Sequence, residues 1–211
     1  MIASQSPSDS GQISFQNELL RKATHMGALV IPAGYYLLQL DRSTMLALMV
    51  PITCLMILID ISRLRRWAFW NRFASRLISP IVRGHENAGD FTGATYILTT
   101  VCLTVALYDK PIVIGALAFI IVGDTFAALI GRKFGRHKWF RGKSIEGSVA
   151  CLFSCLIVAV LIPDIALYVS LLGAVVAAFV EALPLGIDDN VTVPILSGLA
   201  MTLADKIILT F

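Results

Sequence analysis

The sequence predicts an all-α, polytopic integral membrane protein of about seven transmembrane helices, and three observations lead there. Of the 211 residues, 57% are hydrophobic and only 15% are charged, far more apolar surface than one soluble domain of this size needs. The mean hydropathy is +0.79. Apolar segments of about 17 to 20 residues recur along the chain, each about long enough to cross a hydrocarbon core of about 30 Å as a helix. Finally, the basic residues concentrate on alternate connections between those segments, as membrane orientation requires.

The elements follow in order. Residues 1–17 are polar and Ser-rich, without the basic start, short apolar core and small-residue cleavage site of a secretory signal, and read as a flexible tail. Residues 18–211 read as a single transmembrane catalytic domain. Its expected spans are 24–40, 43–60, 92–108, 111–131, 145–162, 164–183 and 191–209. Asp41-Arg42-Ser43, Asp109-Lys110-Pro111 and Pro163-Asp164 are very short connections with little charge. The N-terminal flank and residues 62–90, 131–143 and 184–190 are longer and carry most of the polar residues. All of the 17 Lys and Arg except Arg42, Lys110 and Lys206 fall on that second side, so the positive-inside rule makes it cytoplasmic. The N-terminus is then inside and the C-terminus outside.

The net charge is +3, which membrane orientation accounts for, so no phosphate-tracking face for nucleic acid is expected. Cys54, Cys102, Cys151 and Cys155 all lie in expected spans without a Cys-x-x-Cys pair, and read as reduced packing residues. From Arg63 to Ile78, bases alternate with aromatics in a pattern that suits an interfacial helix on anionic headgroups.

Chemistry concentrates between Gly123 and Ser148. Asp124 stands among apolar residues, where a carboxylate is expensive and needs a partner, with a divalent metal the obvious candidate. Asp124, Ala127, Ala128, Gly131 and Gly135 recur at helical spacing, so a carboxylate and small residues share a face that a ligand or another backbone can approach. A basic loop follows, with Arg132, Lys133, Arg136, His137, Lys138, Arg141 and Lys143. At its end, Ser144 is placed to cap the fifth span, whose free N–H groups and dipole favour an anion. Lys143 adds a mobile positive charge, and Gly147 removes a side chain where a phosphate can approach. Glu146 reads either as a first-turn acid that stabilises the helix or as a ligand to a metal or hydroxyl. A P-loop is rejected, because His137 stands where that motif needs glycine and no buried strand precedes it.

A second acidic group closes the sixth span. Glu181 lies in the apolar run, and Pro184 with Gly186 breaks the helix before Asp188, Asp189 and Asn190. Broken backbone at a membrane surface is tolerated where it lines a cavity. Asp124 with Glu181 or Asp189 can bridge Mg²⁺ to a polyphosphate, while Asp189 and Asn190 can instead form an Asx turn capping the last helix. Near the N-terminus, Glu18, Arg21, Lys22 and His25 lie on about two turns of helix, either as a basic anchor or with His25 as general base or phosphate ligand. Asp60 precedes Arg63, and Glu86 follows Arg83 and His85; either acid can pair with the arginines nearby.

Together, Glu18-x-x-Arg21-Lys22-x-x-His25, Gly123-Asp124-x-x-Ala127-x-x-x-Gly131-Arg132-x-x-Gly135, Lys143-Ser144-x-Glu146-Gly147-Ser148 and Glu181-x-Leu183-Pro184 followed by Asp189-Asn190 resemble the dolichol kinase, phytol kinase and CTP-dependent diacylglycerol kinase family of polytopic membrane enzymes. The resemblance implies transfer of the terminal phosphoryl group of CTP to the hydroxyl of a membrane lipid such as a polyprenol, a phytol-like alcohol or diacylglycerol. It implies a nucleotide site from Arg21, Lys22, Gly131, Arg132, Gly135, Lys143, Ser144, Gly147, Ser148 and Asn190. Mg²⁺ would be organised by Asp124, Glu181 and Asp189. His25, Asp124, Lys143 and Glu146 form the implied catalytic set, and the base is one of Asp124, Glu181 and His25. Phosphatidate cytidylyltransferases carry a similar Gly-Asp and Glu-Gly pattern, but Gly142-Lys143-Ser144 and Asp188-Asp189-Asn190 depart from theirs. A small ion-coupled transporter is the third alternative, and it predicts functional charges near mid-membrane, whereas these gather at one surface.

Overall fold

The computed structural model describes residues 15–65, 90–139 and 142–208. Eight helices account for most of them: α1 (Phe15–Gly27), α2 (Val30–Leu37), α3 (Arg42–Leu64), α4 (Gly93–Leu107), α5 (Lys110–Phe134), α6 (Ile145–Leu161), α7 (Leu167–Ala182) and α8 (Asp189–Ile208). No strand occurs among the described residues; one isolated antiparallel bridge joins Lys138 and Ser144. The interfacial helix expected to continue from Arg65 and the Arg83–Glu86 group lie outside the described residues, as does the tail before residue 15.

α5 is the axis of the bundle. Val113, Ala116, Leu117, Phe119, Ile120 and Ile121 on it are at most 2% exposed, because α6, α7 and α8 pack against it, joined by α1, α2 and α4. α3 is apolar but largely uncovered, with Leu48, Val50, Ile52, Leu55 and Leu58 exposed. α3 and α5 are long and apolar enough to cross a membrane, while α4, α6 and α7 are shorter apolar helices. Exposed leucine, valine and phenylalanine continue along α6, α7 and α8, a surface that suits lipid rather than water.

The expected first span, 24–40, is two helices. Ala28, Leu29 and Ile31 bond back three residues rather than four, and Pro32 has no N–H to continue the ladder, so the helix tightens and restarts. The first helix also begins at Phe15, earlier than the tail boundary expected at residue 17. Close approach of α5 to α6 depends on small residues: a Cβ on Gly123 would sit 2.8 and 2.9 Å from the Cys155 and Cys151 sulfurs. Both cysteines are buried and free, in keeping with a packing role.

Polar anchors differ at the two ends. At one, Arg42 donates to the Tyr108 carbonyl (2.9 Å) and Lys110 to the Leu40 carbonyl (3.0 Å). At the other, buried Asp60 accepts from the Thr92 N–H (2.8 Å) and from the hydroxyls of Thr92 (2.9 Å) and Thr95 (2.6 Å). Arg63 donates through Nε to Asp60 (3.1 Å) and through a terminal nitrogen to the Asp90 carbonyl (2.5 Å). The expected pairing of Asp60 with a nearby arginine is therefore present, with two threonines added.

Candidate active site

One cavity of about 350 Å³ collects side chains from five places in the chain. α1 supplies Arg21 and Lys22, and α5 supplies Asp124, Ala127, Ala128, Gly131 and Arg132 along the face that the helical spacing predicts. The α5–α6 loop and the first turns of α6 supply Lys138, Lys143, Ser144, Gly147 and Ser148, and Glu181 and Asp189 come from α7 and α8.

The partner of Asp124 is a lysine. Lys22 is 1% exposed; its ammonium lies 2.5 Å from Asp124 Oδ2 and also donates to the Asp124 carbonyl at 3.1 Å. His25 Nε2 is 3.5 Å from the same carboxylate oxygen, buried and without a hydrogen-bond partner. A second group centres on Lys143, whose ammonium lies 2.9 Å from Asp189 Oδ2 and 3.1 Å from Glu181 Oε1, and also donates to the Glu181 carbonyl. Burial alone would lower the Lys143 pKa, but the Glu181 and Asp189 carboxylates outweigh it and raise it. Asp189 is pushed upward by burial, a shift that Lys143 only partly offsets.

Local chemistry fixes the loop between the groups. Trp139 N–H donates to the Lys143 carbonyl (2.9 Å) and Ile145 N–H to the His137 carbonyl (3.0 Å), so the basic segment folds back on itself. Gly142 takes the bend with φ of +81°, a left-handed conformation that costs glycine little. Ser144 caps α6 as the sequence predicts, its hydroxyl accepting from Gly147 N–H at 3.1 Å.

Four residues expected at the site lie elsewhere. Glu146 turns to His137, meeting ring Nδ1 at 2.8 Å and the backbone N–H at 3.2 Å. It clamps the loop and does not line the cavity. His25 stands behind Asp124, and Gly135 packs on Ser144, whose hydroxyl would be 2.6 Å from an added Cβ. Asn190 also does not line the cavity: its N–H bonds the Asp188 carboxylate at 2.9 Å. The Asx turn expected at Asp189 or Asn190 is thus made by Asp188, which leaves Asp189 to Lys143. At Gly147 the space freed by the missing side chain is largely filled by α5: an added Cβ would lie 2.8 Å from the Ala127 carbonyl and 3.2 Å from Gly131 Cα.

Among the described residues, no three of His, Cys, Asp and Glu are gathered closely enough to hold a metal. Asp124 is therefore not clustered with Glu181 and Asp189 as a three-carboxylate centre. Glu181 and Asp189 do share one ammonium, so two carboxylates already converge on a cation. Two carboxylates plus substrate phosphates is a usual set for Mg²⁺. Sequence reasoning missed Lys22 as the counter-ion, because the pair is 102 residues apart. It also missed which of the loop's bases enter the cavity, a choice made by the backbone fold-back and not by composition.

Fold and cavity define a helical membrane protein whose polar end gathers five cationic side chains and three carboxylates around a polyanion-sized space. The chain is 30% identical over 199 residues to an uncharacterized protein of Rickettsia prowazekii, covering 90% of this chain and 95% of that one. It is 27% identical over 223 residues to CTP-dependent diacylglycerol kinase 1 of Saccharomyces cerevisiae, covering 93% of this chain and 76% of the yeast protein. With probable phytol kinase 3, chloroplastic, of Glycine max, the identity is 30% over 141 residues, 55% of this chain and 43% of the plant protein. No protein-family profile matches, and no solved structure matches. The chain belongs to one family with the Rickettsia protein, and its similarity to CTP-dependent diacylglycerol kinases and phytol kinases supports that kinase family.

Proposed function

We propose that this protein is a CTP-dependent lipid-alcohol kinase, a multi-pass membrane enzyme whose residues 18–211 form one catalytic unit with its site facing the cytoplasm. The observation that carries the reading is the cavity itself. Five cations face three carboxylates in about 350 Å³, and the buried Ser148 hydroxyl on its wall has no hydrogen-bond partner in the protein. Such a wall matches the oxygens of a polyphosphate, and phosphoryl transfer needs chiefly alignment and neutralisation of charge.

In this reading Arg21, Arg132, Lys138 and Lys143 hold the phosphates, with Ser148 donating a hydrogen bond. Glu181 and Asp189 are the residues that would hold Mg²⁺, their shared ammonium marking where a cation fits. The metal's chemistry when bound is charge neutralisation between phosphate oxygens. Asp124, oriented by Lys22 and backed by His25, accepts the proton of the lipid hydroxyl. That hydroxyl oxygen bonds to the terminal phosphorus while the bridging P–O bond breaks, its electron pair leaving on CDP.

The test supplies purified protein with Mg²⁺, mixed lipid alcohols, phosphatidate and CTP labelled at either the γ or the α phosphorus, followed by lipid extraction. Label from γ alone is expected, and the labelled lipid identifies the acceptor. Label from α, with pyrophosphate released, would mean cytidylyl transfer and overturn the reading.

A further inference from the structure

A second cavity, about 470 Å³, lies between the start of α4 and the α7–α8 connection. Building on the kinase reading, we propose that it is the acceptor site, holding the tail of a neutral lipid alcohol whose hydroxyl reaches Asp124 in the first cavity by passing Lys143 and Asp189. Those are the two residues that line both cavities. Donor and acceptor must meet at one phosphorus from opposite sides, and two cavities that share a wall meet that requirement.

Charge separates the occupants. The first cavity is rich in cations, whereas the second carries Asp90, Asp188 and Asp189, with Lys143 the single cation among its described lining residues. A triphosphate is repelled there, and an uncharged alcohol is not. Apolar side chains line it as well: Phe91 and Tyr96 pack edge to face at 6.5 Å, and Leu185 and Ile187 are 43% and 62% exposed. Polar and apolar groups therefore line the same cavity, as an alcohol's hydroxyl and hydrocarbon tail require. The α4 side is also held in place, since Asp60 and Arg63 fix Asp90 and Thr92 by three hydrogen bonds. Diacylglycerol and isoprenoid alcohols share the required chemistry, a neutral hydroxyl on an apolar tail.

The experiment photolabels the full-length protein in mixed micelles with a diazirine-bearing diacylglycerol and, separately, a diazirine-bearing isoprenoid alcohol, and maps the adducts by mass spectrometry. Label on Phe91, Tyr96 or residues 183–187, displaced by the unmodified alcohol but not by CTP, is expected from at least one probe, and the stronger probe names the lipid class. Label spread along α3, or confined to α1, would overturn the assignment. In the same preparation, Leu185→Trp should raise the acceptor KM by about five-fold or more while leaving the CTP KM within about two-fold. A changed CTP KM with an unchanged acceptor KM would also sink the proposal. Transfer of γ label without adducts in the cavity removes the acceptor site and leaves the kinase reading standing. Adducts in the cavity without any transfer do the reverse.

Discussion

Asp124 and Lys22 show how much one side-chain pair decides. A carboxylate in an apolar helix is satisfied by a lysine that is itself buried, and each is costly without the other. Lys22→Met should lower stability by about 3 kcal/mol, the low end for a broken buried pair because Asp124 keeps some exposure. Adding Asp124→Leu should recover much of that loss, which thermal melts of the two variants in detergent will read. Asp124→Asn keeps the shape but loses the proton acceptor and leaves the buried Lys22 without its counter-charge, so kcat should fall by about 10²- to 10⁴-fold and the melting temperature should fall with it. The sequence marks Asp124 as needing a partner, since its neighbours are apolar, but it cannot name Lys22, which lies 102 positions away. It is equally silent on Asp188 and Asp189. Adjacent identical side chains take opposite duties, one capping α8 and the other meeting Lys143, and only the backbone direction at the helix start separates them.

The contact between α5 and the start of α6 is the element on which the cavity depends. Gly131 and Gly147 bring two backbones together, with Ser144 wedged between them. Gly147→Ala should destabilise by about 1–3 kcal/mol through overpacking, and Ser144→Ala by about 1 kcal/mol through loss of the cap, both measurable by thermal denaturation. The Glu146–His137 clasp can be read directly: Glu146→Gln should loosen it and leave the α5–α6 loop cut faster by limited proteolysis than in wild type, and equal cleavage rates would refute the clasp. The Asp124-to-Gly131 face was legible because helical spacing alone aligns it. The fold-back of the basic loop was not, because its ladder joins Trp139 to Lys143 and Ile145 to His137 without any periodic pattern in the residues.

For the molecule as a whole, apolar segment lengths anticipate the helices well, apart from the first, where Pro32 divides what hydropathy alone presents as one run. Sidedness remains a matter for experiment: a cysteine at position 137, whose side chain is 75% exposed, should react with an impermeant maleimide only when the cytoplasmic face is opened. Labelling from the other face would remove the cavity from the nucleotide pool. The clasp from Arg63 to the Asp90 carbonyl has a different reach. It ties the end of α3 to the residues leading into α4, like two edges of cloth held by a single button. Undoing it, with Arg63→Met, should loosen both edges at once, so amide hydrogen exchange should quicken together at the end of α3 and the start of α4 while the α5–α6 contact keeps its protection.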